Sequence, residues 1–233
     1  MIKKILSGLL VSSVLFLAAA TNSMAMDRPT IAIGGSISYG AYAGAGAEFE
    51  GGATAIAVEK SADEARLMEI GYSSIFLEVG IGDRLTLGVD YMADAVETDM
   101  ESRTDTLHPG STDGNEGTSS VKAEFSQMVQ GYIELRLING FYAKYAAMEI
   151  DMETKESLHT DSQYPNDTLS GNGYGFGFKN TWDNGVFIKT ETMMHDWDPI
   201  KLTATGCTGN CNKTRVEGTL DGIVATLKLG KQF

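Results

Sequence analysis

The sequence predicts an all-β protein, an eight-stranded antiparallel up-and-down transmembrane β-barrel with three short periplasmic turns and four long external loops. Three observations carry that expectation. Apolar residues recur at every second position in eight stretches, one face of each alternation suits lipid while the other holds Gly, Lys, Glu and Arg, and short connections alternate strictly with long ones. Period two marks a strand, because successive Cβ atoms point to opposite faces. A soluble lipocalin-like barrel would turn its apolar face inward; the alternation of connections selects the membrane arrangement.

The elements follow in order. The chain opens with Lys3 and Lys4, an apolar run over 5–20, and Ser23-Met24-Ala25, which reads as a signal peptide over 1–25 ahead of a barrel domain over 26–233. Its removal takes the net charge from −13 to −15. With 18 Lys and Arg against 31 Asp and Glu, the chain is a poor partner for phosphate backbones, and no nucleic-acid role is expected. The 27 Gly are aperiodic and the 4 Pro too few for a Pro-rich linker, so collagen-like and linker readings fall.

The first strand alternates over 31–49, with Ile31, Ile33, Ile37, Tyr39 and Phe49 opposite Gly34, Ser36, Ser38 and Gly40. The second sets Ile75, Leu77, Val79 and Ile81 against Phe76, Glu78 and Gly80, with a slip of parity near Ser73-Ser74 that suggests a bulge. The third sets Leu85, Leu87, Val89 and Tyr91 against Asp90. The fourth, 121–137, places Val121, Ala123, Phe125, Val129, Ile133 and Leu135 outward, opposite Lys122, Glu124, Gln130, Glu134 and Arg136. Phe141, Ala143, Tyr145 and Ala147 then oppose Lys144. Tyr174, Phe176 and Phe178 oppose glycines and Lys179, and Val186, Ile188 and Met194 oppose Lys189, Glu191 and His195. The last strand, 218–233, turns Ile223, Ala225, Leu227, Leu229 and Phe233 to lipid.

Connections at 82–84, 138–140 and 183–185 are tight turns, the last two with Gly where a left-handed conformation is needed. The polar stretches 50–67, 96–120, 151–170 and 196–217 are the long loops, and 53–68 reads either as a short helix or as a continuation of strands one and two. Tyr39, Tyr91, Phe141, Tyr145, Trp182 and Phe233 are placed for interfacial girdles.

Register follows from the turns, because outward residues must face outward on both strands. Glu134 falls opposite Lys144, an expected ion pair, and Lys179 opposite Lys189, two cations that need a carboxylate. Glu191 is the nearest candidate, with Glu134, Glu78 and Asp90 within reach across a narrow barrel. The expected interior polar network is therefore Glu78, Asp90, Lys122, Glu124, Glu134, Arg136, Lys144, Lys179, Lys189 and Glu191. Buried charge persists only when paired. The network is read as a satisfied polar core or, alternatively, as the plug of a gated pore.

Signal peptide, eight amphipathic strands, three tight turns, four long loops and the ending Leu227-Lys228-Leu229-Gly230-Lys231-Gln232-Phe233 together resemble the small outer-membrane barrels of the OmpA transmembrane, OmpX and opacity-type family. The ending is similar to their insertion signal, carried by Leu227, Leu229 and Phe233, and departs from it at Lys231. The resemblance implies a monomer in the outer membrane of a Gram-negative bacterium, contacting outer-membrane lipid. It further implies barrel-assembly machinery and periplasmic chaperones as partners in biogenesis, and roles from envelope integrity to adhesion.

Chemistry finds little support. Of the three histidines, His108 and His159 fall in loops, and His195 lacks a neighbouring nucleophile arrangement, so no enzyme and no cofactor are expected. The acidic loop segments lack the calcium-loop spacing. Cys207 and Cys211 are free to oxidise to a local disulfide outside the cytoplasm, and two thiolates fall short of a zinc site. The expected role is structural or surface-contact; the alternative is a small cation-preferring channel.

Overall fold

Long alternating segments leave each strand with one apolar edge-to-edge face, and a sheet with such a face and no free edge must close on itself. The computed structural model describes residues 29–51, 57–59, 66–92, 94–105, 117–158, 163–205 and 215–233. The segment read as a signal peptide and the Cys207–Cys211 pair lie outside the described residues. Eight strands form the ring: β1 (Thr30–Gly51), β3 (Arg66–Ile81), β4 (Leu85–Met92), β7 (Gly117–Arg136), β8 (Phe141–Ser157), β9 (Asp167–Thr181), β10 (Val186–Trp197) and β12 (Arg215–Gln232). Each pairs antiparallel with the next, and β12 returns to β1 with Ala32 opposite Gln232 and Tyr39 opposite Ala225.

The turns set the register that the sequence implies. Gly140 and Gly185 hold φ of 87° and 80°. Glu134 lies opposite Lys144 and Lys179 opposite Lys189. Ile33, Ile37, Leu135, Phe176, Ile223, Leu227 and Leu229 stand exposed on the outer surface, and Phe141 meets Phe178 edge-on at 5.1 Å in the periplasmic girdle.

Two features depart from the expected pattern. The β1–β3 ladder is continuous from Thr30–Gly80 to Gly44–Arg66, so there is no bulge at Ser73-Ser74. The sequence shows a slip of parity there because Met68, Ile70 and Tyr72 are apolar yet face inward. The irregularity lies instead in β7, where the pairing with β8 shifts between Ser126 and Val129 and Gln127 adopts φ of 54°. One extra residue reverses which side chains point inward. Above it Phe125 and Ala123 belong to the inner packing, on the face shared by Val121, while Lys122 and Glu124 point outward.

The long connections are also more ordered than loops. A span of the lipid core takes about 9–11 strand residues, whereas β1 has 22, β7 has 20 and β12 has 18. Short strands β2 (Ala57–Glu59), β5 (Val96–Glu97), β6 (Glu101–Asp105) and β11 (Ile200–Thr203) pair with these extensions. Of 53–68, the described parts are strand: β2 pairs with β1, and β3 begins at Arg66.

Candidate functional site

The bore is where the inner faces converge, and its content changes with height. In the periplasmic half of the bore Phe76 and Phe187 lie 6.1 Å apart beside Ala32. With them sits an ionic layer of Glu78 (β3), Asp90 (β4), Glu134 (β7), Lys144 (β8), Lys189 and Glu191 (β10) and Lys228 (β12), none more than 7% exposed. Six of the eight strands of the wall are thus tied through side chains alone.

The pairing is across the bore and not along the ladder. Lys189 Nζ donates to Glu78 Oε1 at 2.6 Å and to Glu134 Oε2 at 2.7 Å. Lys144 Nζ donates to Glu191 Oε2 at 2.8 Å, and Lys228 Nζ to Asp90 Oδ2 at 2.7 Å with Glu191 Oε2 3.8 Å away. The expected Glu134–Lys144 ion pair is therefore replaced: the two face each other in register, but long side chains reach carboxylates on other strands. Two tyrosines complete the layer, Tyr132 donating to Glu78 at 2.8 Å and Tyr142 to Glu191 at 2.7 Å. The Lys144 ammonium also lies 3.9 Å from the Tyr132 ring centroid, a cation–π contact. Both tyrosines lie flat against glycines, Tyr132 on Gly88 and Tyr142 on Gly177, where a Cβ would overlap the rings.

Toward the outside the polarity fades. Ser36 bonds Ser74, Ser38 bonds Thr226 at 2.9 Å, and the Tyr42 hydroxyl meets His195 Nδ1 at 3.1 Å. Beyond them Met92, Met128, Met148, Met152, Phe125 and Trp197 fill the bore, leaving a cavity of about 40 Å³.

Of the residues singled out from sequence, Glu78, Asp90, Glu134, Lys144, Lys189 and Glu191 meet in this layer. Lys179 lies just below it, donating to Gln232 at 3.1 Å, and Arg136 is exposed at the periplasmic mouth. Lys122 and Glu124 are corrected: the bulge at Gln127 puts them on the outer wall above the membrane. There Lys122 bonds Glu97 at 2.7 Å, and Lys155 bonds both Glu97, at 3.2 Å, and Glu124. Hydrogen bonds from Lys122 and then Lys155 hold the Glu97 carboxyl down to about 2. Leu227, Leu229 and Phe233 face outward at the seam, and the Phe233 N–H donates to the Ile31 carbonyl at 2.8 Å. Lys228 and Tyr42 were not singled out. The alternation that turns Leu227 and Leu229 outward turns Lys228 inward, so its signal was present.

Charged and hydroxyl-bearing residues inside, with isoleucine, leucine and aromatic residues exposed outside, invert the order of a water-soluble protein. Only a lipid surround satisfies that arrangement. The chain is an eight-stranded transmembrane β-barrel. The sequence matches no protein-family model and no curated protein. Matches among solved structures are of low identity. The outer membrane protein OprG from Pseudomonas aeruginosa is 11% identical over 86% of this chain and 96% of its own, with a TM-score of 0.49. The outer membrane protease OmpT from Escherichia coli is 12% identical over 92% of this chain and 100% of its own, at 0.39. The attachment invasion locus protein Ail of Yersinia pestis is 12% identical over 86% of this chain and 99% of its own, at 0.34. Among the described residues, this barrel's one histidine, His195, is buried against Tyr42 and Trp197, and no group of three or more His, Cys, Asp and Glu is placed to hold a metal.

Proposed function

We propose that this outer-membrane barrel acts as a closed platform with a surface-contact role, and that it neither conducts nor catalyses in its resting state. The observation that carries this reading is the filled bore. Three buried lysines and four buried carboxylates interlock across it, and methionine and aromatic side chains pack the outer half. Strand extensions beyond the lipid band support the surface role, since paired strands carry the sheet outward past the membrane.

The test is planar-bilayer conductance of protein shown by gel shift to be folded. Silence from the wild type is expected; discrete openings of the wild type would overturn the closed reading. Substituting Glu134→Ala or Lys144→Ala, which cut the layer on different sides, is expected to produce leak currents. The second reading, a gated cation-preferring channel, is favoured by one observation: cavities of about 40 and 120 Å³ flank the layer on its two sides, so only side-chain movement separates them.

A further inference from the structure

The periplasmic mouth of the bore is a cavity of about 120 Å³ whose wall includes Arg84, Arg136 and Lys179, with Glu78 at its inner end and Asp83 and Thr86 beside it. Two kinds of unmet demand converge there. No ion pair joins Arg84, Arg136 or Lys179 to a carboxylate among the described residues, and Lys179 makes a single hydrogen bond, to Gln232. Glu78, only 1% exposed, spends its Oε1 on Lys189 and Tyr132 while its Oε2 has no partner among the described residues. A buried acceptor without a donor is costly, and a cluster of cations without a counter-charge draws an anion.

One ligand chemistry meets both demands. The cations call for an anion, and the lone Glu78 oxygen calls for a donor, so the anion must carry an O–H. We propose that the mouth binds a protonated phosphate group from the periplasmic side, hydrogen phosphate being the simplest case. Its ionised oxygens face Arg136 and Lys179, and its hydroxyl donates to Glu78 Oε2. Sulfate has the same shape and charge but no proton at neutral pH, so it would set an oxygen lone pair against the Glu78 carboxylate.

Sulfate is therefore the sharpest control, because it tests the role of Glu78 without mutating a residue on which the ionic layer depends. The experiment is titration of the folded barrel in a phosphorus-free glucoside detergent with inorganic phosphate, followed by calorimetry or ³¹P NMR line broadening. Phosphate is expected to bind about tenfold more tightly than sulfate, the scale set by one unpaired buried acceptor. Arg136→Gln and Lys179→Gln should each weaken phosphate binding several-fold, whereas Lys201→Gln, on the outer rim, should leave it unchanged. If phosphatidate in nanodiscs displaces inorganic phosphate while phosphatidylcholine does not, the same site is filled by a lipid headgroup. Equal binding of sulfate and phosphate, indifference to both mouth substitutions, or no binding of either phosphate source overturns the proposal.

Discussion

Strand β7 carries two glutamates, each engaged by a lysine, in two different worlds. Glu134 is 4% exposed in the bore and held by Lys189 through both oxygens, while Glu124 stands on the outer wall beside Lys155 and Glu97. Ten residues separate them, an even spacing that would put both on one face of a regular strand. The bulge at Gln127 divides them. The comparison teaches that an ion pair's worth here is set by where the backbone delivers it. Inside, removing one partner strands a charge away from water; outside, water and salt take the partner's place.

Deleting Gln127 attacks the division itself and has the largest expected effect. It would turn Lys122 and Glu124 into the apolar outer half of the bore and Phe125 out of it, and the deleted chain is expected not to reach the heat-modifiable folded band on a gel. A folded deletion mutant would show that the bulge is dispensable. Next comes Lys189→Met, which leaves Glu78 and Glu134 facing each other without a cation. We expect a loss of about 3–5 kcal/mol in urea unfolding from lipid vesicles, partly recovered when Glu134→Gln is added. A loss of less than about 1 kcal/mol would place the interior pairs with the outer ones.

A smaller effect tests the outer wall alone. Asp196 and Asp221 are exposed and directly opposite each other across β10 and β12. Relieving this like-charge contact by Asp221→Asn should stabilise the barrel by about 0.5 kcal/mol at low salt, and by less in high salt. The smallest effect concerns Glu97. Because its carboxyl is held down to about 2, its charged form contributes to the rim at every pH above the ordinary carboxylate range, and that contribution is lost only as pH falls through about 2. Lys122→Ala should return its titration toward the usual value near ~4.3, read by ¹³C NMR of the side-chain carboxyl. An unmoved titration would mean that Lys122 is not the group that holds it.

The fold was legible because a bilayer imposes period two on the sequence with little tolerance. Ile33, Ile37, Leu135, Phe176 and Leu229 declare the outer face, and Gly140 and Gly185 fix turns that carry the register inward to Glu134–Lys144 and Lys179–Lys189. Three things were not legible. The bulge is one residue of backbone with no composition of its own, since Gln127 is neither Gly nor Asn, the usual bearers of a positive φ. Ion-pair partners were misassigned because register fixes Cα neighbours, while a lysine reaches across a narrow bore to another strand. Above the membrane, strands no longer need an apolar face, so the extensions of β1, β7 and β12 read as polar loops. The glycines on the inner face of β9 did hold a usable sign: Gly173, Gly175 and Gly177 leave room for Met193, for close approach of the β10 backbone, and for the Tyr142 ring.

The closure of β12 on β1 has a consequence for the order of assembly. Lys228, the cation of Asp90, arrives on the last strand of the chain, whereas Asp90 lies on the third strand of the ring. Until the C-terminal strand docks, Asp90 has no cation and Glu191 has lost one of its two lysine neighbours, so a sheet that stops one strand short carries an unbalanced acidic lining. Completion of the ring and delivery of a cation to Asp90 are a single event. The charge layer thereby distinguishes a finished chain from a truncated one before any function is asked of it.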